Sequence, residues 1–78
     1  LFSMAKVVIF GLGQFAELAY YFINSDSKHE VIAFTVDGEY LSKKKFLGHP
    51  VVEFSRISEL YPPQTCKLFI PISYSTLC

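Results

Sequence analysis

The chain has 78 residues, of which 51% are hydrophobic, 17% aromatic and 18% charged. This length allows one small domain, placed at residues 4–78, and the apolar content favours a packed core over disorder. The formal net charge is zero, so the composition gives no indication of nucleic acid or an acidic membrane surface as a partner.

Targeting and redox signals are weak in this sequence. The chain lacks both the run of about 18–20 apolar residues that a membrane span needs and the basic-then-apolar start of a signal peptide. Cys66 and Cys78 are its two cysteines, too few for a disulfide framework, and two free thiols suit a reducing compartment. We therefore expect a cytoplasmic protein.

The first predicted elements are a strand, a glycine turn and a helix. Lys6–Phe10 is a short apolar run with β-branched residues, which predicts a strand that enters the turn Gly11-Leu12-Gly13. A helical period follows from Gly13 to about Asn24. Its apolar positions form one stripe, of the kind that usually faces a core: Phe15, Leu18, Ala19, Phe22 and Ile23.

The rest of the chain predicts three more strands and a short helix. Val31–Val36 is apolar and ends at an Asp-Gly pair, which indicates a second strand. Residues 37–50 read as a loop, and Val51-Val52 as a short third strand. A short helix follows at about 55–61, and Lys67–Ile72 predicts the last strand.

Strand, helix and strand within about 30 residues indicate a right-handed βαβ unit. We therefore predict an α/β fold with a small Rossmann-like parallel sheet in the strand order 3-2-1-4, with the Val51-Val52 strand at one edge. In such sheets ligands bind outside the carboxyl ends of the strands, here near the switch point between the first and last strands.

The glycine turn is the strongest functional signal. Its spacing, Gly11-x-Gly13-x-x-Ala16, fits the dinucleotide fingerprint with alanine in third place. Glycine allows the backbone to bend sharply and to approach a phosphate closely. The backbone N–H groups of Gln14 and Phe15 would open the helix and face an anion. We predict a phosphate cradle, and a tight turn without a ligand remains the alternative.

Polar residues near other strand ends add further candidates. Asp37 follows the second strand and could accept hydrogen bonds from a ribose or a base, although Asp-Gly is also a common turn pair. Ser73 follows the last strand and could contact a ligand or cap a helix. His29 and His49 do not stand at metal-ligand spacing with the cysteines, so no metal site is predicted. We also predict no catalytic residue.

Taken together, these segments resemble the N-terminal domain of sugar O- and N-acyltransferases of the sialic acid O-acetyltransferase and bacillosamine-pathway type. The resemblance is carried by the order and spacing of four segments, which together span most of the chain. They are residues 7–17 (VVIFGLGQFAE), Val36-Asp37-Gly38, residues 48–52 (GHPVV) and the apolar strand 68–72.

This resemblance implies a small Rossmann-like domain that binds a nucleotide-linked sugar, commonly a UDP-sugar. Gly11, Gly13 and the backbone of Gln14 and Phe15 would face the phosphates, and Asp37 would lie near the nucleoside. In such families a left-handed β-helix of hexapeptide repeats follows, binds acetyl-CoA, forms the homotrimer and supplies the catalytic histidine. We therefore expect this chain to be part of a longer protein, without a cofactor of its own and inactive alone.

Two other functions stay open at this point. The glycine spacing and Asp37 also fit, in outline, the start of an NAD(P)-dependent oxidoreductase, although only one short helix and a weak strand separate Asp37 from the last strand. A structural Rossmann-like domain with an empty glycine turn is the other. The apolar segment 68–72 further predicts an uncovered sheet face that favours self-association.

Overall fold

The structure is a computed structural model that describes residues 5–25 and 28–71. It begins with the strand β1 (Ala5–Phe10), whose central residues Val7, Val8 and Ile9 are buried. The helix α1 (Gln14–Asn24) follows after the glycine turn. Both elements agree with the sequence interpretation to within one residue, because β-branched runs and a helical apolar period are strong local signals.

The second strand, β2 (His29–Val36), pairs in parallel with β1. Its residues are almost continuously apolar and buried from Val31 to Val36, with only Ile32 partly exposed. A near-continuous buried run is typical of a parallel strand that is covered on both faces. The predicted strand–helix–strand unit is therefore present.

The interpretation of residues 37–50 as a loop was wrong for their second half. Lys45–Phe46 forms a short strand, β3, which pairs antiparallel with β4 (His49–Glu53). The two residues between them, Leu47 and Gly48, have positive φ angles of 53° and 82°. Positive φ at both central residues is what a type I′ hairpin turn requires.

The C-terminal elements are shorter than predicted. A 3₁₀ turn at Phe54–Arg56 leads into α2 (Ile57–Leu60), a single turn of α-helix. The last strand, β5 (Cys66–Phe69), starts one residue before the predicted strand and ends at Phe69. Pro71 lacks a backbone N–H for a ladder hydrogen bond, which agrees with this early end, and Ile72 lies outside the described residues.

The strands form one five-stranded sheet in the order β3-β4-β2-β1-β5. All pairs are parallel except β3 with β4. The fold is therefore α/β, as predicted, and the observed order differs from 3-2-1-4 by one added strand. Because β3 lies outside β4, the strand that contains Val51 and Val52 is not at the edge.

The larger part of the core lies between α1 and the sheet. It contains these buried residues from β1, α1, β2 and β4: Val7, Ile9, Ala16, Ala19, Val31, Phe34, Val36 and Val51. On the opposite face, Val8 lines a cleft with Phe54 and Ile57. The sheet is thus covered on both faces, with the thicker layer on the α1 side.

Only part of the predicted apolar stripe of α1 faces the core: Ala19 and Ile23 pack there, but the other three residues of the stripe do not. Phe15, Leu18 and Phe22 are 48%, 56% and 72% exposed. The residues packed on the core are Ala16, Ala19, Tyr20 and Ile23, at helical spacing i, i+3, i+4 and i+7. Ala16 lies next to the glycine turn, since a Cβ built at Gly11 would be in ordinary van der Waals contact with the Ala16 Cβ, at 3.8 Å.

The helices of residues 5–25 and 28–71 are short, and none could cross a membrane. The longest, α1, has 11 residues.

Candidate functional site

The glycine turn after β1 is fixed by backbone geometry at Gly11. Its φ angle is +114°, a conformation that L residues with a side chain rarely adopt. Its N–H donates a 2.8 Å hydrogen bond to the Thr35 carbonyl oxygen, so the turn is held against β2. Glycine is therefore required at this position by the fold itself.

Gly13 presents a different case. Its φ of −88° and ψ of −162° are extended angles that other residues adopt, and a Cβ placed there would meet no atom within 4 Å. Gly13 is the N-cap of α1 and has no side chain to bond the N–H groups of the first turn, which in other helices often receive a cap. Neither backbone strain nor internal packing accounts for this glycine.

The space beside the turn is a groove of about 450 Å³ at the carboxyl ends of β1 and β2. Such a volume lies within the range of small-molecule sites, about 300–1,000 Å³. Among the described residues, its lining comes from the end of β1, the glycine turn, the end of β2 and the segment after it: Phe10, Gly11, Leu12, Gly13, Val36, Asp37, Tyr40 and Ser42. We call this the glycine groove.

The structure brings three of the six residues proposed from the sequence into the glycine groove, namely Gly11, Gly13 and Asp37. Gln14 is exposed at the start of α1, and its side chain does not line the groove. The Phe15 side chain lines a separate groove with Phe69. Gln14 and Phe15 could therefore serve only through their backbone N–H groups.

The sixth proposed residue, Ser73, lies outside the described residues. The strand pattern predicted a ligand near the switch point between the first and last strands, which are β1 and β5. In the described part of the chain, the lining of the glycine groove comes from the ends of β1 and β2 and from the segment after β2, and includes no residue of β5.

Asp37 stands at the end of β2, where its backbone and side chain have separate roles. Its carbonyl oxygen accepts a 2.9 Å hydrogen bond from the Tyr40 N–H, which starts a 3₁₀ turn over Gly38–Tyr40. Its exposed carboxylate makes no capping hydrogen bond to that turn. At Gly38 a Cβ would meet the carboxylate of Glu53, which is the far end of a flexible side chain and can move aside, so packing does not require this glycine. The backbone makes the turn, and the carboxylate remains available as an acceptor.

Tyr40 and Ser42 are groove residues that the sequence analysis missed. Tyr40 is 64% exposed, and its ring offers an apolar face on which a planar base could stack. The two residues follow Asp37 by three and five positions, inside the segment interpreted as a loop. The available signal was an aromatic side chain directly after a turn at the carboxyl end of a strand.

The charge of the glycine groove is uneven. Asp37 is the charged side chain among the described lining residues, and it lies at the β2 end. The lysines of the following segment do not line this groove: Lys43 and Lys44 line a neighbouring cleft, and Nζ of Lys43 lies 5.3 Å from the ring centre of Phe46. An anion would therefore be favoured at the N-terminus of α1, where the helix dipole is positive, and disfavoured beside Asp37.

Metal-ligating side chains do not gather in residues 5–25 and 28–71, where no three His, Cys, Asp or Glu residues come together. Nε2 of His49 lies 3.2 Å from the Tyr20 hydroxyl and shares a hydrogen bond with it. His29 lines an apolar cleft beside β5. Neither histidine belongs to the glycine groove.

Comparison with protein-family models, curated proteins and solved structures finds no significant match to this chain.

Proposed function

We propose that this domain binds a nucleotide-linked sugar in the glycine groove. The phosphates would lie against Gly11, Gly13 and the first N–H groups of α1. The nucleoside would extend along the groove toward Asp37 and Tyr40. This orientation follows the uneven charge of the groove, since it brings the anionic part of the ligand to the positive end of the helix.

The observation that carries this proposal is Gly13. Its backbone angles suit other residues, a Cβ there would meet no atom within 4 Å, and Gly13 lines the groove. Glycine is tolerated at an N-cap but is not required there by strain or packing, and a ligand that approaches the backbone closely, as phosphates do at turns of this spacing, would require it. An N-cap without a side chain also leaves the first-turn N–H groups for that ligand.

The nucleoside end of the site is supported by Asp37 and Tyr40. A carboxylate at the end of the second strand accepts hydrogen bonds from ribose hydroxyls in folds of this type. The Tyr40 ring lies in the same groove and would cover one face of a base or ribose. The two side chains recognise neutral parts of a nucleotide, which avoids contact between Asp37 and the phosphates.

The finer part of the proposal comes from the resemblance to sugar O- and N-acyltransferases. In that setting the ligand is a UDP-sugar, and this domain is a substrate-binding module in a cytoplasmic homotrimer. Acetyl-CoA and the histidine that acts as general base would belong to a further domain, which transfers the acyl group to a hydroxyl or amine of the bound sugar. The domain alone would hold substrate without catalysing the reaction.

An NAD(P)-dependent oxidoreductase is the second candidate. It is favoured by the third position of the fingerprint, where buried Ala16 packs against the glycine turn. Helix–strand contact at that position is one of the three roles of the dinucleotide motif. Asp37 at the end of β2 would then bind the adenosine ribose.

A binding assay separates these functions. We would titrate the chain with UDP, UDP-GlcNAc, NAD and acetyl-CoA by calorimetry and record melting temperatures in parallel. Saturation at 100 times Kd adds about 2.7 kcal/mol to the free energy of unfolding, which is several degrees for a domain of this size. We expect UDP and UDP-GlcNAc to bind, and acetyl-CoA not to bind.

Two variants locate the site. Gly13→Ser introduces a favourable N-cap, so the fold is kept, but its hydroxyl occupies the N–H groups and the space that the phosphates need. Gln14→Ala is the matched control, since it changes the adjacent residue outside the groove and keeps every backbone N–H. Loss of UDP binding in Gly13→Ser alone supports the proposal. Binding of NAD alone would favour the oxidoreductase, and no binding at all would leave a structural domain.

A further inference from the structure

We draw no further inference here: the strongest candidate, the apolar groove between α1 and β5 on the α1 side of the sheet, lined by Phe15, Leu18, Phe22 and Phe69, carries none, because nothing in the described part of the structure shows what covers it.

Discussion

The Tyr20 hydroxyl lies 3.2 Å from Nε2 of His49 and joins α1 to the β3–β4 hairpin across 29 residues of sequence. The surrounding rings form one cluster, with ring centres 5.9 Å apart for Tyr20 and Phe34 and 4.9 Å apart for Phe34 and Phe46. Phe34 is completely buried at its centre. This cluster is where the hairpin packs on the rest of the domain.

Removal of the Tyr20 hydroxyl tests that connection. Tyr20→Phe keeps the ring and removes one partly buried hydrogen bond, so we expect the free energy of unfolding to fall by about 0.5–1.5 kcal/mol. Tyr21→Phe, on the neighbouring and more exposed residue, should change it by less than about 0.5 kcal/mol. Urea unfolding followed by circular dichroism measures both, and equal effects would contradict a role for the Tyr20–His49 pair.

The hairpin itself could not be recognised from the sequence. Two-residue turns of type I′ usually contain Asn-Gly or Asp-Gly, because both central residues need a positive φ angle. Here the turn is Leu47-Gly48, and leucine rarely adopts the φ of 53° that it has in this turn. Leu47 packs against the core, so tertiary contact holds a conformation that its local preference disfavours.

Gly48 and Gly13 allow the energetic cost of a positive φ angle to be measured separately from any steric clash of the new side chain. A Cβ at either position would meet no atom within 4 Å, but φ is +82° at Gly48 and −88° at Gly13. We expect Gly48→Ala to lower the free energy of unfolding by about 1–2 kcal/mol. Gly13→Ala should change it by less than about 0.5 kcal/mol, because lost flexibility of the unfolded chain offsets the weaker N-cap.

Thermal and urea unfolding of both glycine variants provide the comparison. If Gly13→Ala is as destabilising as Gly48→Ala, Gly13 has a structural role in the free domain, and the main argument for a ligand in the glycine groove is removed. If only Gly48→Ala destabilises, Gly13 remains unexplained by the fold, and the binding measurements decide its role.

The sequence predicted that the candidate site residues lie close together, but it did not predict which side of α1 faces the core. The carboxyl ends of neighbouring parallel strands meet at one edge of the sheet, which is why Gly11, Gly13 and Asp37 share a groove. The side of α1 that faces the core is the one with Ala16, Ala19, Tyr20 and Ile23, and hydrophobic periodicity alone does not contain these tertiary contacts. The position of Tyr40 in the glycine groove also depends on tertiary contacts, so the sequence did not predict it.

Thr35 offers a test of the link between β2 and β4. It is completely buried, and its Oγ1 donates a 2.9 Å hydrogen bond to the Val52 carbonyl oxygen. Thr35→Val keeps the shape and removes the donor, so we expect a loss of about 1–2 kcal/mol in the free energy of unfolding. Thr65→Val is the control, since it removes an exposed 3.2 Å hydrogen bond to the Pro62 carbonyl.

The Thr65→Val change should alter the free energy of unfolding by less than about 0.5 kcal/mol, because water can replace the lost partner at an exposed site. Urea unfolding of the two variants checks the difference. A neutral Thr35→Val variant would show that the β2–β4 pair does not depend on this side-chain hydrogen bond.

Asn24 supports an irregularity in β2. Val7 pairs with Val31 but Val8 pairs with Ala33, so Ile32 is an extra residue opposite β1. Such a bulge disrupts the ladder locally, and the N–H of Val31 donates a 3.1 Å hydrogen bond to Oδ1 of Asn24. The last residue of α1 thus supplies the acceptor for the backbone of the bulge.

Asn24→Ala leaves the Val31 N–H without that acceptor beside a buried side chain. We expect the free energy of unfolding to fall by about 1–3 kcal/mol and exchange of the Val31 amide hydrogen to become faster. Asn24→Asp keeps an acceptor oxygen and should lose less, although a negative charge at the helix C-terminus costs about 0.3–1 kcal/mol. Ser25→Ala removes an exposed 2.7 Å hydrogen bond to the Phe22 carbonyl and serves as the control. Unchanged exchange at Val31 in Asn24→Ala would mean that another group accepts this hydrogen bond.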